Sequence, residues 1–279
     1  MPVYPALRVF PCDAILTGFE TTYANTGHDM KLRLLRNATL KLSYGGRTIL
    51  IDPYFAPRHS LPSFTGRSPN PLVDLPIAAE EILSGVELVV VSHLHSDHFD
   101  KVAQQAVPKH LPIICQPGDE ATIVAAGFTN VTPLTASVDW KGLRLTRCEG
   151  SHGLGPVVEK MGSVMGFVLE ASEEPKLYWA GDTVLYAPVL DTIRSTKPDI
   201  IVTHSCGARW DGDLIVMDAD QTTALCEAAP ESIVVATHME ALDHATVNRT
   251  DLRRAADAKA IPTTRLIIPS DGETIDFPR

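Results

Sequence analysis

The stretch Ser92-His93-Leu94-His95-Ser96-Asp97-His98 places three histidines and an aspartate within six residues. It follows Glu87-Leu88-Val89-Val90-Val91, a short apolar run that reads as a buried strand. His93 and His95 are two apart, so in extended chain their side chains point to the same side. Asp97 and His98 come where the chain turns toward a helix and can reach a second position. Imidazole nitrogens and a carboxylate at this density suit zinc, manganese or iron. At this chain's own residue frequencies, H-x-H-x-D-H arises by chance on the order of 10⁻³ times.

Upstream, Leu32, Leu34, Ala38, Leu40 and Leu42 alternate with polar residues, and Thr48–Ile51 resumes the apolar run after Gly45-Gly46. This predicts a β-hairpin, because two glycines supply the positive φ of a tight turn. Downstream, strands are expected over 111–115, 137–140, 143–149, 163–169, 176–180, 200–203, 233–237 and 265–268. Helices are expected over 100–107, 119–126, 189–195, 218–229 and 250–260, with Asp218 and Gln221 resembling a capping box. Strand-rich blocks with helices in each half suggest α/β layers. No linker divides the chain, so 31–279 is read as one domain and 1–30 as an extension packed on it. The proline-rich stretch 56–76 reads equally as a surface excursion or a lid.

The 279 residues are 44% hydrophobic, which excludes intrinsic disorder. No apolar run approaches the ~20 residues of a membrane span. A net charge of −10 without a basic patch argues against nucleic acid as a partner. Lys31, Arg33, Arg36, Lys41 and Arg47 read as a solvated strand face. Five cysteines without paired spacing fit a reducing cytoplasm, and residues 1–20 show no signal-peptide core. Homo-oligomerisation is left open.

At these residues the chain resembles the metallo-β-lactamase superfamily, whose defining motif is H-x-H-x-D-H at a strand end. Ser151-His152-Gly153, Gly181-Asp182-Thr183 and Thr237-His238-Met239 are similar to the family's later motifs, in the right order. The resemblance implies a four-layer αββα sandwich. It also implies two divalent metal ions, zinc first and manganese or iron as alternatives. His93, His95 and His152 would bind one ion; Asp97, His98 and His238 the other; Asp182 would bridge. His204 competes with His238 for the last position. Two such cations lower the pKa of a shared water from about 15.7 toward about 7, giving a bridging hydroxide.

Soft likenesses, including Asp52-Pro53-Tyr54-Phe55, point to the ascorbate-6-phosphate lactonase-like branch. The implied activity is hydrolysis of a small anionic lactone, ester or phosphoester. The alternatives are a di-iron redox or dioxygenase-like enzyme, a phosphodiesterase or nuclease, and a non-catalytic metal-binding scaffold. Asp97 is a candidate to orient the nucleophile, His204 a candidate general acid, and Tyr186 a candidate for the pocket wall or the leaving group. Arg67 and Arg209 are candidate anion binders, and Asp52 a candidate support for the metal-binding histidines. Cys206 either approaches the second metal or is a buried, inert thiol. His28, His59, His110 and His244 lack a motif and are read as surface residues.

Overall fold

Alternation in the strands builds the layers of this molecule. The structure is a computed structural model and describes residues 30–278; the expected extension lies outside these residues, Met30 apart, as does His28. One sheet has the order β16 (Thr274–Phe277), β1 (Met30–Arg36), β2 (Thr39–Tyr44), β3 (Arg47–Ile51), β4 (Leu88–Val91), β5 (Ile113–Cys115), β6 (Val131–Pro133). The other runs β15 (Leu266–Ile267), β14 (Ile233–Thr237), β11 (Ile200–His204), β10 (Leu177–Gly181), β9 (Met165–Glu170), β8 (Leu143–Glu149), β7 (Ser137–Trp140). A small ribbon pairs β12 (Arg209–Trp210) with β13 (Asp213–Leu214).

Leu88 and Val90 face inward with Ile49 and Ile51, against Phe167, Trp179, Val202 and Val235 of the other sheet. Their alternates Val89, Val91 and Leu50 face outward. There they meet Ile82 of α1 (Ala79–Leu83), Ala103 of α2 (Lys101–Ala106) and Ile123 of α3 (Glu120–Ala125). On the second sheet Tyr178, Ala180 and Ile201 point out. They pack with α4 (Val157–Met161), α5 (Ala187–Thr196), α6 (Ala219–Ala228) and α7 (Arg249–Ala258). This is the αββα sandwich. Each buried Leu or Val contributes about 1.5–3 kcal/mol, and a one-residue slip would reverse every side chain, so register is strongly specified.

Some local features differ from the sequence expectation. The first arm of the expected hairpin is itself broken at Asn37, whose φ of 58° turns β1 into β2; asparagine tolerates this conformation better than most residues. Arg36 is not on a solvated face. It is fully buried and donates to the carbonyls of Tyr54, Ala56 and Val73. Asp218 caps α6 by accepting from Gln221 N at 3.0 Å. The Gln221 side chain does not reach back to close the box; it accepts from Leu185 N at 2.8 Å. The elements α1, α4, β6, β12, β13 and β16 were not anticipated, being too short to show a period.

The parallel strands position the chemistry. β3, β4, β10, β11 and β14 run in parallel pairs within their sheets, and Asp52, His93, Asp182, His204 and His238 lie at or just beyond their carboxyl ends. Such strand ends are where open α/β sheets place ligand-binding residues.

Candidate metal centre

Each donor stands on a strand end that fixes its direction. Gly181, with φ 71°, turns the chain from β10 into Asp182. A Cβ there would come within 3.1 Å of Met165 O, so glycine is required. Asp52 (φ 45°) and His238 (φ 64°) hold the same unusual conformation without being glycine, a strain that surrounding contacts must hold in place.

The donors fall into two groups, each with ligand atoms within 4.8 Å of one another: His93, His95 and His152, then His98, Asp182, His204 and His238. Asp182 lies between them. Its Oδ2 is 3.2 Å from His98 Nε2, 3.4 Å from His152 Nε2 and 3.9 Å from His93 Nε2. Its Oδ1 accepts from His204 Nδ1 at 2.5 Å and lies 3.6 Å from His238 Nε2. Asp97 Oδ2 lies 3.1 Å from His238 Nε2 and 3.5 Å from His98 Nε2. The structure therefore brings His204 and His238 together rather than choosing between them.

A ring of hydrogen bonds orients these donors. Asp52 accepts from His98 Nδ1 at 2.8 Å, from Ser92 Oγ at 2.6 Å and from Ser92 N at 2.7 Å. Ser92 Oγ lies 3.1 Å from His93 Nδ1, so with His93 donating there its Nε2 lone pair is free. His152 Nδ1 donates to Ile215 O at 2.8 Å, which likewise directs its Nε2 inward. Asn37 Nδ2 donates to Asp97 O at 3.0 Å, and Asn37 O accepts from His238 N at 2.9 Å. Cys206 is buried with its Sγ 3.4 Å from His238 Nδ1, behind the donor set.

The electrostatics keep these groups in ligand form or ready to exchange a proton for a metal. Burial, reinforced by His98 and His95, holds His93 well below its ordinary pKa. Burial pushes His152 and His204 down to about 4 against the pull of Asp182. Burial would also lower His98, but Asp182, Asp97 and Asp52 outweigh it and raise it to about 10. His238 is raised well above its usual value against burial, chiefly by Asp182. Asp97 and Asp182 stay well below the carboxylate range although burial opposes this, because His98 and His238 face them. His93 Nε2 is buried without a hydrogen-bond partner among the described residues. Such orphans are rare in folded proteins, and with the N/O donor set it shows that the residues fit bound metal ions.

Above the donors opens a cavity of about 550 Å³. His95, Asp97, His152 and Asp182 reach its floor, and Phe64, Met161, Trp210 and Ile215 supply apolar wall.

Residues 47–239 match the family model described as the beta-lactamase superfamily domain. This chain belongs to that superfamily. Within it, the chain is 36% identical over 255 residues to the UPF0173 protein YddR of Bacillus subtilis, covering 89% of this chain and all of the relative. It is 24% identical to the UPF0173 metal-dependent hydrolase MJ1163 of Methanocaldococcus jannaschii, over 82% of this chain and 94% of that one. A solved structure, the isothiocyanate hydrolase from Delia radicum gut bacteria, superposes with a TM-score of 0.84. It shares 35% identity and covers 89% of this chain and 99% of that one. The chain is thus a metal-dependent hydrolase of the superfamily.

Not every expected residue of this hydrolase reaches the cavity. His204 is fully buried behind Asp182, off the cavity wall. Tyr186 precedes α5, half-buried, with Glu149 and Arg147 as its charged neighbours. Arg67 and Arg209 line an adjoining cavity of about 410 Å³ that shares Phe64, Trp210 and His244 with the first. They bond to Thr65 and to the backbone carbonyls of Asp243 and Gly212, not to carboxylates. His59 and His110 are exposed as read. His244 is not a surface residue: it is 7% exposed and forms part of both cavity walls. Burial lowers its pKa against Asp97 and Asp182.

Residues 56–76 are tied down. Asp243 accepts from Ser63 Oγ at 2.5 Å, Phe64 N at 3.0 Å, Thr65 Oγ1 at 2.6 Å and Asn70 Nδ2 at 2.9 Å. Asn37, Ser92, Asp243 and His244 escaped the sequence reading because none carries a metal-ligand spacing. Asn37 reads as an ordinary turn residue, and the others acquire meaning only through distant partners.

No helix among the described residues is long and apolar enough to cross a membrane.

Proposed function

We propose that the protein is a dinuclear hydrolase of a small electrophile with an apolar body, isothiocyanates and reactive esters or lactones being the substrate classes. The observation that carries this is Asp182 lying between two donor groups beneath an apolar-walled cavity. His93, His95 and His152 would hold one ion, Asp97, His98 and His238 the other, with Asp182 between. Zinc suits the histidine-rich donor set, and manganese or iron can occupy the same ligands. Bound cations supply Lewis acidity and a water acidic enough to attack at neutral pH.

The chain's own residues do the rest. Asp97 lines the cavity, and its carboxylate can orient the attacking water. His204 Nδ1 holds Asp182 in one orientation. Phe64, Met161, Trp210 and Ile215 keep bulk water from the electrophilic carbon and take the substrate's apolar body. The likeness to an isothiocyanate hydrolase supports this class, since the central carbon of N=C=S is a compact electrophile on an apolar substituent. Arg67 and Arg209, unclaimed by carboxylates in the adjoining cavity, favour a second reading in which the substrate also carries an anionic group, as a phosphorylated lactone or a phosphoester would. Tyr186 stands off the wall and is assigned no step.

Metal analysis combined with a substrate panel tests the proposal. About two equivalents of metal per chain are expected, with apolar isothiocyanates or esters turned over faster than phosphodiesters. Loaded protein inert across the panel, or preferring phosphodiesters, would overturn it.

A further inference from the structure

Resting on that hydrolase reading, we propose that the cavity holding Arg67 and Arg209 is a subsite for a terminal oxyanion of the substrate. The substrate is then a bifunctional molecule, with an electrophile over the donor set, an apolar middle and a carboxylate or phosphate tail. The anion is a handle remote from the reacting carbon, not the group that is cleaved.

Arginine borders other cavities of this protein, but there a carboxylate answers the charge. Beside α7, Arg249, Arg253 and Arg254 line a cavity of about 670 Å³ and are paired with Glu240 and Asp271, with Asp257 and with Asp251 respectively. Arg147 shares its cavity wall with Glu149 and Glu159. Around Arg67 and Arg209 the one lining carboxylate among the described residues is Asp211, and its Oδ2 is already 2.8 Å from Lys160 Nζ. Two positive charges are left unbalanced there, on a chain whose formal net charge is −10.

The two guanidinium groups are also held in place. Arg67 donates through Nε to Thr65 Oγ1 at 3.0 Å and through Nη2 to the carbonyl of Asp243. Arg209 donates through Nη1 to Gly212 O at 3.0 Å, and its backbone N donates to the carbonyl of His244 at 3.4 Å. Carbonyls of two adjacent residues thus tether arginines that lie far apart in the sequence. Arg67 Nη1 and Arg209 Nε and Nη2 keep no partner among the described residues, and guanidinium N–H groups match an oxyanion in pairs. The hydroxyls of the wall are committed: Thr65 Oγ1 donates to Asp243 Oδ2 and Thr246 Oγ1 to Gly207 O, each at 2.6 Å. The arginines are therefore the donors left for a ligand.

This cavity adjoins the one above the donor set through Phe64, Trp210 and His244, and none of the proposed metal ligands lines it. Its volume of about 410 Å³ far exceeds what a bare inorganic anion fills, so the anion arrives at the end of a substituent. Contacts this far from the reacting carbon are the same in ground and transition states, and so act on KM rather than kcat.

The test uses aryl esters and isothiocyanates that share one reacting end and carry a tail ending in a carboxylate, a phosphate or a neutral primary amide. Metal-loaded wild type, Arg67→Gln, Arg209→Gln and the double variant are compared by the ratio of KM for the amide tail to KM for the anionic tail. The wild-type ratio should be about 10 or more, fall several-fold in each single variant and reach about 1 in the double variant. Arg67→Lys and Arg209→Lys, which keep the charge without the fork, should fall between, and they carry the comparison if a Gln variant does not fold. Added salt should shrink the wild-type ratio, because both groups are exposed. Either anionic tail with a raised ratio supports the proposal, and the larger ratio identifies the head group. Equal KM for all tails in the wild type overturns it, as does a preference that survives in the double variant, since the anion would then be meeting the metal ions; both leave the hydrolase reading intact. Unreactive aryl ethers with the same tails, titrated by calorimetry, should follow the same order of Kd. If that order holds while the wild type turns over none of the substrates, the hydrolase reading falls and the subsite stands.

Discussion

The floor and the roof of the cavity are built in different ways. Beneath the floor, His93, Asp182, His204 and His238 sit on or just past strand ends, and with His98 they are almost wholly buried and packed ring against ring or carboxylate. Roof residues Phe64, Trp210 and His244 come from segments far apart in the chain, with Asp243 tying the 63–70 stretch to the turn before His244. Two packed sheets impose the floor, whereas a few hydrogen bonds and one ring contact impose the roof. Damage to the floor should therefore abolish metal binding, and damage to the roof should change substrate handling with the metal retained.

The largest effect is expected from Asp182→Ala, which removes the carboxylate shared by both donor groups. It should lower kcat/KM by more than about 10³-fold, several kcal/mol of lost transition-state stabilisation, with metal content measured on the same sample. Retention of both metal and activity would break the floor side of the comparison.

The metal-free protein should be most stable near pH 6.5 in urea titrations. Below this, an unfolded chain protonates histidines that His93, His152 and His204 keep neutral when folded, so stability falls as pH drops toward about 4. Asp119, titrating near 6 because burial raises it, opposes this and is outnumbered. Above pH 6.5, His98 and His238 hold protons that the unfolded chain has lost, and stability declines toward pH 10. Metal should flatten the alkaline arm by replacing those protons. An alkaline arm unchanged by metal would remove His98 and His238 from the ligand set.

Next in size, Asp52→Asn should weaken metal affinity by about 10–100-fold in competition with a chelator, because it loosens His98 and Ser92. On the roof, Asp243→Ala should lower kcat/KM by about tenfold, roughly 1.4 kcal/mol, at unchanged metal content. The smallest change should come from Phe64→Ala. It should raise KM several-fold for apolar substrates, corresponding to about 1 kcal/mol of lost contact, and leave small polar esters untouched.

The legibility of the molecule follows the same division. The motif at 93–98 and the strands behind it could be read because metal ligation demands particular atoms at particular spacings, and buried strands show a period of two. His152, Asp182 and His238 each follow such a strand, and their likeness to the superfamily's later motifs is what singled them out. His204 could be recognised as a competitor, but not as a partner bonded to Asp182, because that contact spans two strands of one sheet. Arg36 shows the opposite failure. Alternation beside other basic residues suggested solvent, yet three backbone carbonyls from a distant loop enclose its guanidinium.

Residue order carried the H-x-H-x-D-H donors and the α/β layering through spacing and periodicity, and the four-layer sandwich and metal dependence through its likeness to the superfamily. Folding decided which side chains close over the donor set. His244 has no motif and would be one more histidine on an unfolded chain. It becomes part of the cavity wall because Asp243 fixes its turn and Phe64 packs on its ring, contacts between residues about 180 positions apart. No local pattern encodes such contacts; they exist only once the two sheets have brought those loops together.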